Sequence, residues 1–173
     1  FLLEIDSLNR LNPNLTDKNN RMKGQYTEST RQIEGLNTEK ASLSEKVAIA
    51  AQLDAIGINL QMKDKRSKTT EKLKKAKTLQ LNFSIARNVT AQSGMKTVYV
   101  RITSPTGATL AGGGSFSYEN RNLECSMKRT FEYNGNETPI TLYWNINQAM
   151  VQGNYKVSIF ADGNMIGSKS FNL

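Results

Sequence analysis

The sequence predicts an α + all-β chain: a long N-terminal coiled-coil helix followed by an antiparallel β-sandwich of about eight strands. Three observations carry this. Apolar residues recur every 3.5 positions through roughly the first fifty residues, the period becomes two from Leu53 onward, and turn dipeptides punctuate the second half. The expected domains are a stalk at 1–52 and a head at 53–173.

Numbering a heptad with Ile5 at position a places Ile5, Asn12, Asn19, Tyr26, Ile33, Lys40 and Val47 at a. Position d then holds Phe1, Leu8, Leu15, Met22, Ser29, Leu36, Leu43 and Ala50. Eleven of these fifteen positions are apolar and the register runs without a stutter, which argues for a coiled coil rather than a helix packed on a globule. The seam expected to mediate self-association comprises Ile5, Leu8, Asn12, Leu15, Asn19, Met22, Ile33, Leu36, Leu43 and Val47. Asn12 and Asn19 at a favour a two-stranded, in-register pairing at a cost in stability, so the expected assembly is a modest parallel dimer. Lys18 at g faces Lys23 at e of the partner, which is mildly repulsive. Pro13 cannot donate to the helical ladder, which points to a break there, with Asn12 as N-cap and Pro13 at the first helical position. Phe1 is not an initiator Met, so the sequence reads as a fragment or a processed product that draws on helix upstream.

Beyond Leu53, Ile56, Ile58, Leu60 and Met62 alternate with polar or small residues. The same pattern recurs through Leu79–Ile85, Val98–Ile102, Leu123–Tyr133, Ile140–Ile146 and Tyr155–Ile159, and the chain ends on Phe171 and Leu173. Such one-face alternation marks half-buried antiparallel strands. Ser104 to Gly107 suits a type I turn, and Asn134-Gly135 and Asp162-Gly163 read as hairpin dipeptides that tolerate positive φ. The number and spacing of strands are those of an immunoglobulin-like sandwich. No Pro, Gly-Ser or charged linker separates stalk from head.

Composition removes whole classes of chemistry. With one Cys and no His, neither a Cys/His zinc site nor an internal disulfide can form, and His-dependent nucleophile systems and acid–base work are excluded. The apolar runs are far too short for a membrane span. Acidic residues are scattered, without the spacing of a glycosidase pair or a calcium loop. No cofactor is implied, and no constellation points to a reaction.

The formal charge of +8 lies entirely in the head, because residues 1–53 carry equal numbers of basic and acidic side chains. Lys63, Lys65, Arg66, Lys68, Lys72, Lys74, Lys75 and Lys77 are opposed only by Asp64 and Glu71. This segment is expected to form an exposed loop or hairpin tip between the first two strands. One reading is an electrostatic site for phosphate-rich polymers, anionic lipid headgroups or acidic glycans. The default is a solvated loop whose lysines keep a strand edge from aggregating. Lys dominates over Arg and no aromatic residue falls between 63 and 77, so base-specific or single-strand nucleic-acid recognition is not supported.

Other features have plainer readings. The Gly112 to Gly114 run lacks the ending of a phosphate-cradling loop and reads as a flexible connection between strands. Cys125 shares a face with Leu123 and Met127 and is expected to be a buried, inert thiol. Arg129 breaks that face, marking a strand edge or bulge, or pairing with a buried acid. Trp144, Tyr143, Phe116 and Tyr118 suggest a sugar-stacking platform. Trp144, however, alternates with Leu142 and Ile146 and belongs to the core, leaving Tyr143 as the surface aromatic. Asn88 and Asn136 head glycosylation sequons, a pattern common by chance.

Around Tyr155, the run from Gly153 to Val157 resembles the tyrosine corner of immunoglobulin-like domains, with Val157 where antibody domains carry a cysteine. Residues 96–107 (KTVYVRITSPTG) and 153–167 (GNYKVSIFADGNMIG) also resemble uncharacterised bacterial cell-envelope proteins. Those proteins place a coiled coil after an export or lipoprotein signal and finish with such a domain. The resemblance implies a non-enzymatic structural or binding module, periplasmic or anchored by a segment upstream of Phe1. Its head would bind a protein, glycan or anionic polymer. The alternative is a cytoplasmic filament- or nucleic-acid-associated protein that uses the basic segment 63–77.

Overall fold

The computed structural model describes residues 2–173; Phe1, a d position of the seam, lies outside them. The chain divides into two compact units, residues 1–47 and 48–173.

A single helix, α1, runs from Leu2 to Ala50 and passes through Pro13 without the break expected there. The ring removes one N–H, and the surrounding residues are all exposed, so the unpaired carbonyl one turn back is free to bond water. The hydroxyls of Thr16, Thr27, Thr30 and Thr38 each donate to the carbonyl four residues earlier at 2.9 Å. Arg10–Asp6 and Arg21–Asp17 form exposed i,i+4 pairs at 3.5 and 3.7 Å, worth a few tenths of a kcal/mol each. No residue of α1 is buried.

The second unit holds nine strands, not about eight: β1 (Ala55–Asp64), β2 (Ala76–Ile85), β3 (Gly94–Thr103), β4 (Gly114–Tyr118), β5 (Arg121–Cys125), β6 (Met127–Tyr133), β7 (Thr138–Asn145), β8 (Asn154–Ala161) and β9 (Asn164–Asn172). They form antiparallel sheets in the orders β1-β2-β7 and β6-β3-β8-β9, plus the hairpin β4-β5. One core draws Leu60, Leu79, Leu81 and Leu142 from the first sheet and Val98, Val100, Val157 and Ile159 from the second.

Three local features depart from the pattern read in the sequence. Gly57, at φ +63°, sits in a bulge between the pairs Ile56–Ser84 and Asn59–Asn82. The extra residue shifts the pattern by one, so Ala55 faces the core and Ile56 is partly exposed. The apolar run from Leu123 to Tyr133 is two strands, because Ser126 interrupts it. Its N–H donates to Val100 O at 2.7 Å, and its Oγ accepts from the Ile102 N–H at 2.9 Å. Asn134-Gly135 is not a hairpin turn: β6 pairs with β3 and β7 with β2, so this segment carries the chain from one sheet to the other. Asp162-Gly163, by contrast, closes the β8-β9 hairpin with positive φ at both residues.

The glycine run is a close-packed joint rather than a flexible connection. A Cβ on Gly113 would lie 2.8 Å from the Met127 backbone and 2.9 Å from Cys125 Sγ, and the Gly113 N–H donates to Cys125 O at 2.9 Å. Two tyrosines fasten loops to the core. Tyr155 donates to Val151 O at 2.8 Å and accepts from its N–H at 3.2 Å. Tyr133 donates to Ala86 O at 2.7 Å and accepts from the Asn88 N–H at 2.9 Å.

Candidate functional site

The basic segment is an ordered β1–β2 connection rather than one cluster of charge. Lys63 lies half-buried on β1, with its ammonium donating to Thr69 Oγ1 at 2.8 Å. Lys65, Arg66 and Lys68 ride an exposed turn in which the Asp64 carboxylate accepts from the Arg66 and Lys68 N–H groups at 2.8 and 3.0 Å. Those two backbone hydrogen bonds, Lys68 first, hold the Asp64 carboxyl below its ordinary pKa. Lys72, Lys74 and Lys75 accompany a short 3₁₀ turn, Leu73–Lys75, and line a concavity of about 530 Å³ with Met150 and Gln152. Lys77 is exposed on β2. None of the eight forms an ion pair among the described residues.

The four aromatic residues of the suggested platform do not come together. Trp144 is a core residue, 4% exposed, whose Nε1–H donates to Ala111 O at 3.0 Å. Phe116 and Tyr118 belong to a second apolar cluster, in which the β4-β5 hairpin covers Tyr99 and Phe160. Ring centroids there are 4.8 Å apart for Tyr99–Phe116 and 4.9 Å for Tyr118–Phe160. Cys125 is buried in that cluster, and the burial raises its thiol pKa, outweighing the opposing charge of Lys128. Tyr143 alone is at the surface, 63% exposed.

Around Tyr143 the outer face of the three-stranded sheet forms a regular grid. Strand register aligns Gln61, Gln80 and Tyr143 in one row, with Lys63, Thr78 and Asn145 on one side of it and Asn59, Asn82 and Thr141 on the other. None of these nine residues is buried, while the alternating positions Leu60, Leu79 and Leu142 face the core. Asn82 Oδ1 accepts from Gln80 Nε2 at 3.2 Å and from Thr141 Oγ1 at 3.0 Å. Thr78 Oγ1 donates to Asn145 Oδ1 at 3.4 Å. Tyr143 and Asn145 stand between two concavities. One, of about 410 Å³, includes Lys63, Ser67 and Gln80; the other, of about 420 Å³, includes Gly112, Ser126 and Lys128. Apart from Lys63 and Tyr143, sequence reasoning singled out none of the grid. Its only signal is polarity at the outward positions, and only strand register brings those positions into rows.

Arg129 marks a strand edge. On β6, at the end of its sheet, it donates from Nη1 to Thr141 O on β7, the edge of the other sheet, at 2.6 Å. Asn88 spends its side chain on structure: Nδ2 donates to Ala50 O and Gln52 O at 2.9 and 3.0 Å, and Oδ1 accepts from the Thr90 and Ala91 N–H groups at 2.9 and 3.0 Å. Among the described residues no group of three or more His, Cys, Asp or Glu side chains is placed to hold a metal ion. No described helix is long and apolar enough to cross a membrane.

Two solved structures show a weak likeness to the chain. Pseudomonas fluorescens alkylpurine DNA glycosylase AlkC, bound to DNA containing an abasic site analog, is 12% identical at a TM-score of 0.39, covering 71% of this chain and 30% of that one. The β-glucosidase from Kluyveromyces marxianus is 11% identical at a TM-score of 0.39, covering 68% of this chain and 14% of that one. The chain therefore spans under a third of either. No curated protein matches it. Residues 1–41 match a coiled-coil region of unknown function (DUF8429). Residues 51–173, most of the chain and all nine strands, match a domain of unknown function (DUF8428), and the protein belongs to that family.

Proposed function

We propose that this protein is a non-enzymatic module of the bacterial cell envelope, in which a parallel two-stranded coiled coil presents immunoglobulin-like heads to a ligand. The observation that carries the reading is the helix: 49 residues with none buried, and with Ile5, Leu8, Leu15, Met22, Ile33, Leu36, Leu43 and Val47 all more than half exposed at heptad spacing. In water such a stripe costs free energy until a second chain covers it, and most helical stability comes from that packing. The occupant is another copy of the same stripe, since identical a and d residues meet in register. The coiled-coil family match supports this. Two sheets on one core and the Tyr155–Val151 corner support the immunoglobulin-like reading of the head. The likeness of residues 96–107 and 153–167 to envelope proteins supports the location. Sedimentation equilibrium across a hundredfold range of concentration is expected to show a reversible dimer; monomers throughout would overturn the stalk. Fractionation with protease added to spheroplasts is expected to recover the protein in the envelope, and a protected cytoplasmic pool would overturn the location.

A second reading rests on the exposure of Lys65, Arg66, Lys68, Lys72, Lys74, Lys75 and Lys77. An intracellular chain would grip phosphates there, in a complex strongest at low salt. A DNA mobility shift lost on neutralising Lys72, Lys74, Lys75 and Lys77 would support this reading, and no shift at low salt would end it.

A further inference from the structure

We infer that the outer face of the β1-β2-β7 sheet, with Tyr143 on its edge strand, is a binding site for an acidic polysaccharide. This names the ligand class of the head and rests on reading the head as a binding module.

The argument begins with Tyr143 itself. Its neighbours in sequence, Leu142 and Trp144, are 4% exposed, whereas Tyr143 stands 63% exposed on the edge strand of an otherwise polar sheet face, in the middle row of the grid. A large ring left in water gains from being covered, and its flat face with a polar tip suits a partner that is itself apolar on one face and hydroxylated at the rim. A pyranose ring is such a partner: its axial C–H bonds stack on the tyrosine while its hydroxyls point outward.

The groups around the ring meet those hydroxyls. Gln80 and Gln61 follow Tyr143 across the sheet, and Asn145 and Asn82 lie in the flanking rows. Side-chain amides offer a donor and an acceptor on one carbon, the pattern that vicinal hydroxyls require. They are also held in place: Asn82 Oδ1 takes hydrogen bonds from both Gln80 and Thr141. This fixes the Gln80 amide before a ligand arrives and reduces the ordering cost of binding. Strand spacing makes the grid about 10 Å across the strands and about 14 Å along them, room for about two or three sugar rings. A chain rather than a single sugar fits that footprint.

The charges select among glycans. Lys63 lines one concavity beside Tyr143 and Lys128 lines the other, and no carboxylate lines either. Neither lysine forms an ion pair among the described residues. Two cations flanking a neutral, amide-rich centre complement a polymer whose rings carry carboxylate or phosphate groups.

The test is calorimetric titration of the full-length protein at 150 mM salt with polygalacturonate, a phosphate-bearing mannan and a neutral galactan. At least one acidic polymer is expected to bind about tenfold or more tightly than the galactan, and the two acidic arms separate carboxylate from phosphate recognition. Tyr143→Ala is expected to weaken binding by about tenfold, and Tyr143→Phe, which keeps the stacking face, to stay within about twofold. Lys63→Gln with Lys128→Gln should abolish the preference for acidic polymers, while Lys72→Gln, Lys74→Gln and Lys75→Gln together should leave it intact. All these positions are exposed except Lys63, which is half-buried, and unchanged melting curves will separate loss of binding from loss of fold. No binding by any polymer overturns the inference. So does binding that Tyr143→Ala leaves unchanged, or that follows the lysines at 72, 74 and 75, because the site would then be diffuse charge. A dimer that binds no polysaccharide removes this inference and leaves the coiled coil standing. A monomer that binds one does the reverse.

Discussion

Leu36 and Leu81 are the same residue with opposite fates: the first is 64% exposed on α1, the second fully buried between two sheets. The contrast holds for their whole units. Residues 48–173 fold alternating apolar faces onto one another and close a core from their own sequence. Residues 2–47 present a stripe of comparable apolar character and bury none of it. A sheet with one apolar face can be completed by the next stretch of the same chain, whereas a narrow seam at heptad spacing on an isolated helix suits a second helix. One unit thus closes its core from its own sequence, and the other, in the coiled coil proposed above, would depend on concentration.

The sharpest way to break this comparison is to replace Ile33 and Leu36, adjacent a and d positions, with Asn. Each dimer of the proposed coiled coil would lose four apolar side chains, at about 1.5 kcal/mol or more apiece, or about 6 kcal/mol in all. Sedimentation should then show only monomer and far-ultraviolet circular dichroism should lose most of its helical signal, while the melting midpoint of the β unit stays put. A β unit that melts earlier in this variant would show that the two units are not independent.

The complementary variant is Gly113→Ala. The added methyl would meet the Met127 backbone at 2.8 Å, and no rotamer change relieves a backbone contact. A loss of about 3 kcal/mol, or roughly 10 °C in the β unit's midpoint, is expected by calorimetry. The association constant of the proposed coiled coil should not move. A shift under about 1 kcal/mol would mean that the strand junction yields more easily than its packing implies.

The two units were also unequally legible in sequence. The heptad needed only one-dimensional spacing, and Pro13 misled because a single missing bond on a fully exposed helix is cheap to leave to water. The strands with strict alternation, such as Leu79 to Ile85, were plain for the same reason. What escaped notice was set by register and backbone sign. The bulge at Gly57 moved the inward position from Ile56 to Ala55. The β4-β5 hairpin turns on Glu119 and Asn120, both at positive φ without a glycine to announce it, so nothing in the sequence marks β4 and the run before it reads as flexible. Ser126 divides the alternating run from Leu123 to Tyr133 between two sheets. The outer face around Tyr143 was least visible of all, because Gln61, Gln80 and Asn145 become neighbours only when three strands are aligned.

A smaller effect is expected at Asn88. Its side chain serves the carbonyls of Ala50 and Gln52 and the amides of Thr90 and Ala91, so Asn88→Ala strands four backbone groups near the surface. Water compensates part of the loss, and a destabilisation of about 2 kcal/mol in urea unfolding is expected. Asn88→Asp keeps the acceptor but loses both donors, and should fall between the two. An Asn88→Ala variant as stable as the parent would show that these bonds merely replace equivalent ones to water.

The smallest effect tests how closed the second apolar cluster is. Burial in that cluster holds the Cys125 thiol in its neutral form beyond the pH at which a free thiol ionises. In the unfolded chain the same thiol has its ordinary pKa, so above that value the unfolded state releases a proton that the folded state keeps. The contribution is therefore complete below the ordinary thiol pKa and is lost as pH rises toward and through the raised one. The informative quantity is the difference between the parent and Cys125→Ala, in which every other group cancels. Their stability gap is expected to narrow as pH climbs past the ordinary thiol range. In the native protein the thiol should also resist a disulfide reagent until the β unit unfolds. A gap that stays constant with pH, together with rapid labelling of the folded protein, would place Cys125 in contact with solvent and the β4-β5 hairpin as a flap rather than a cover.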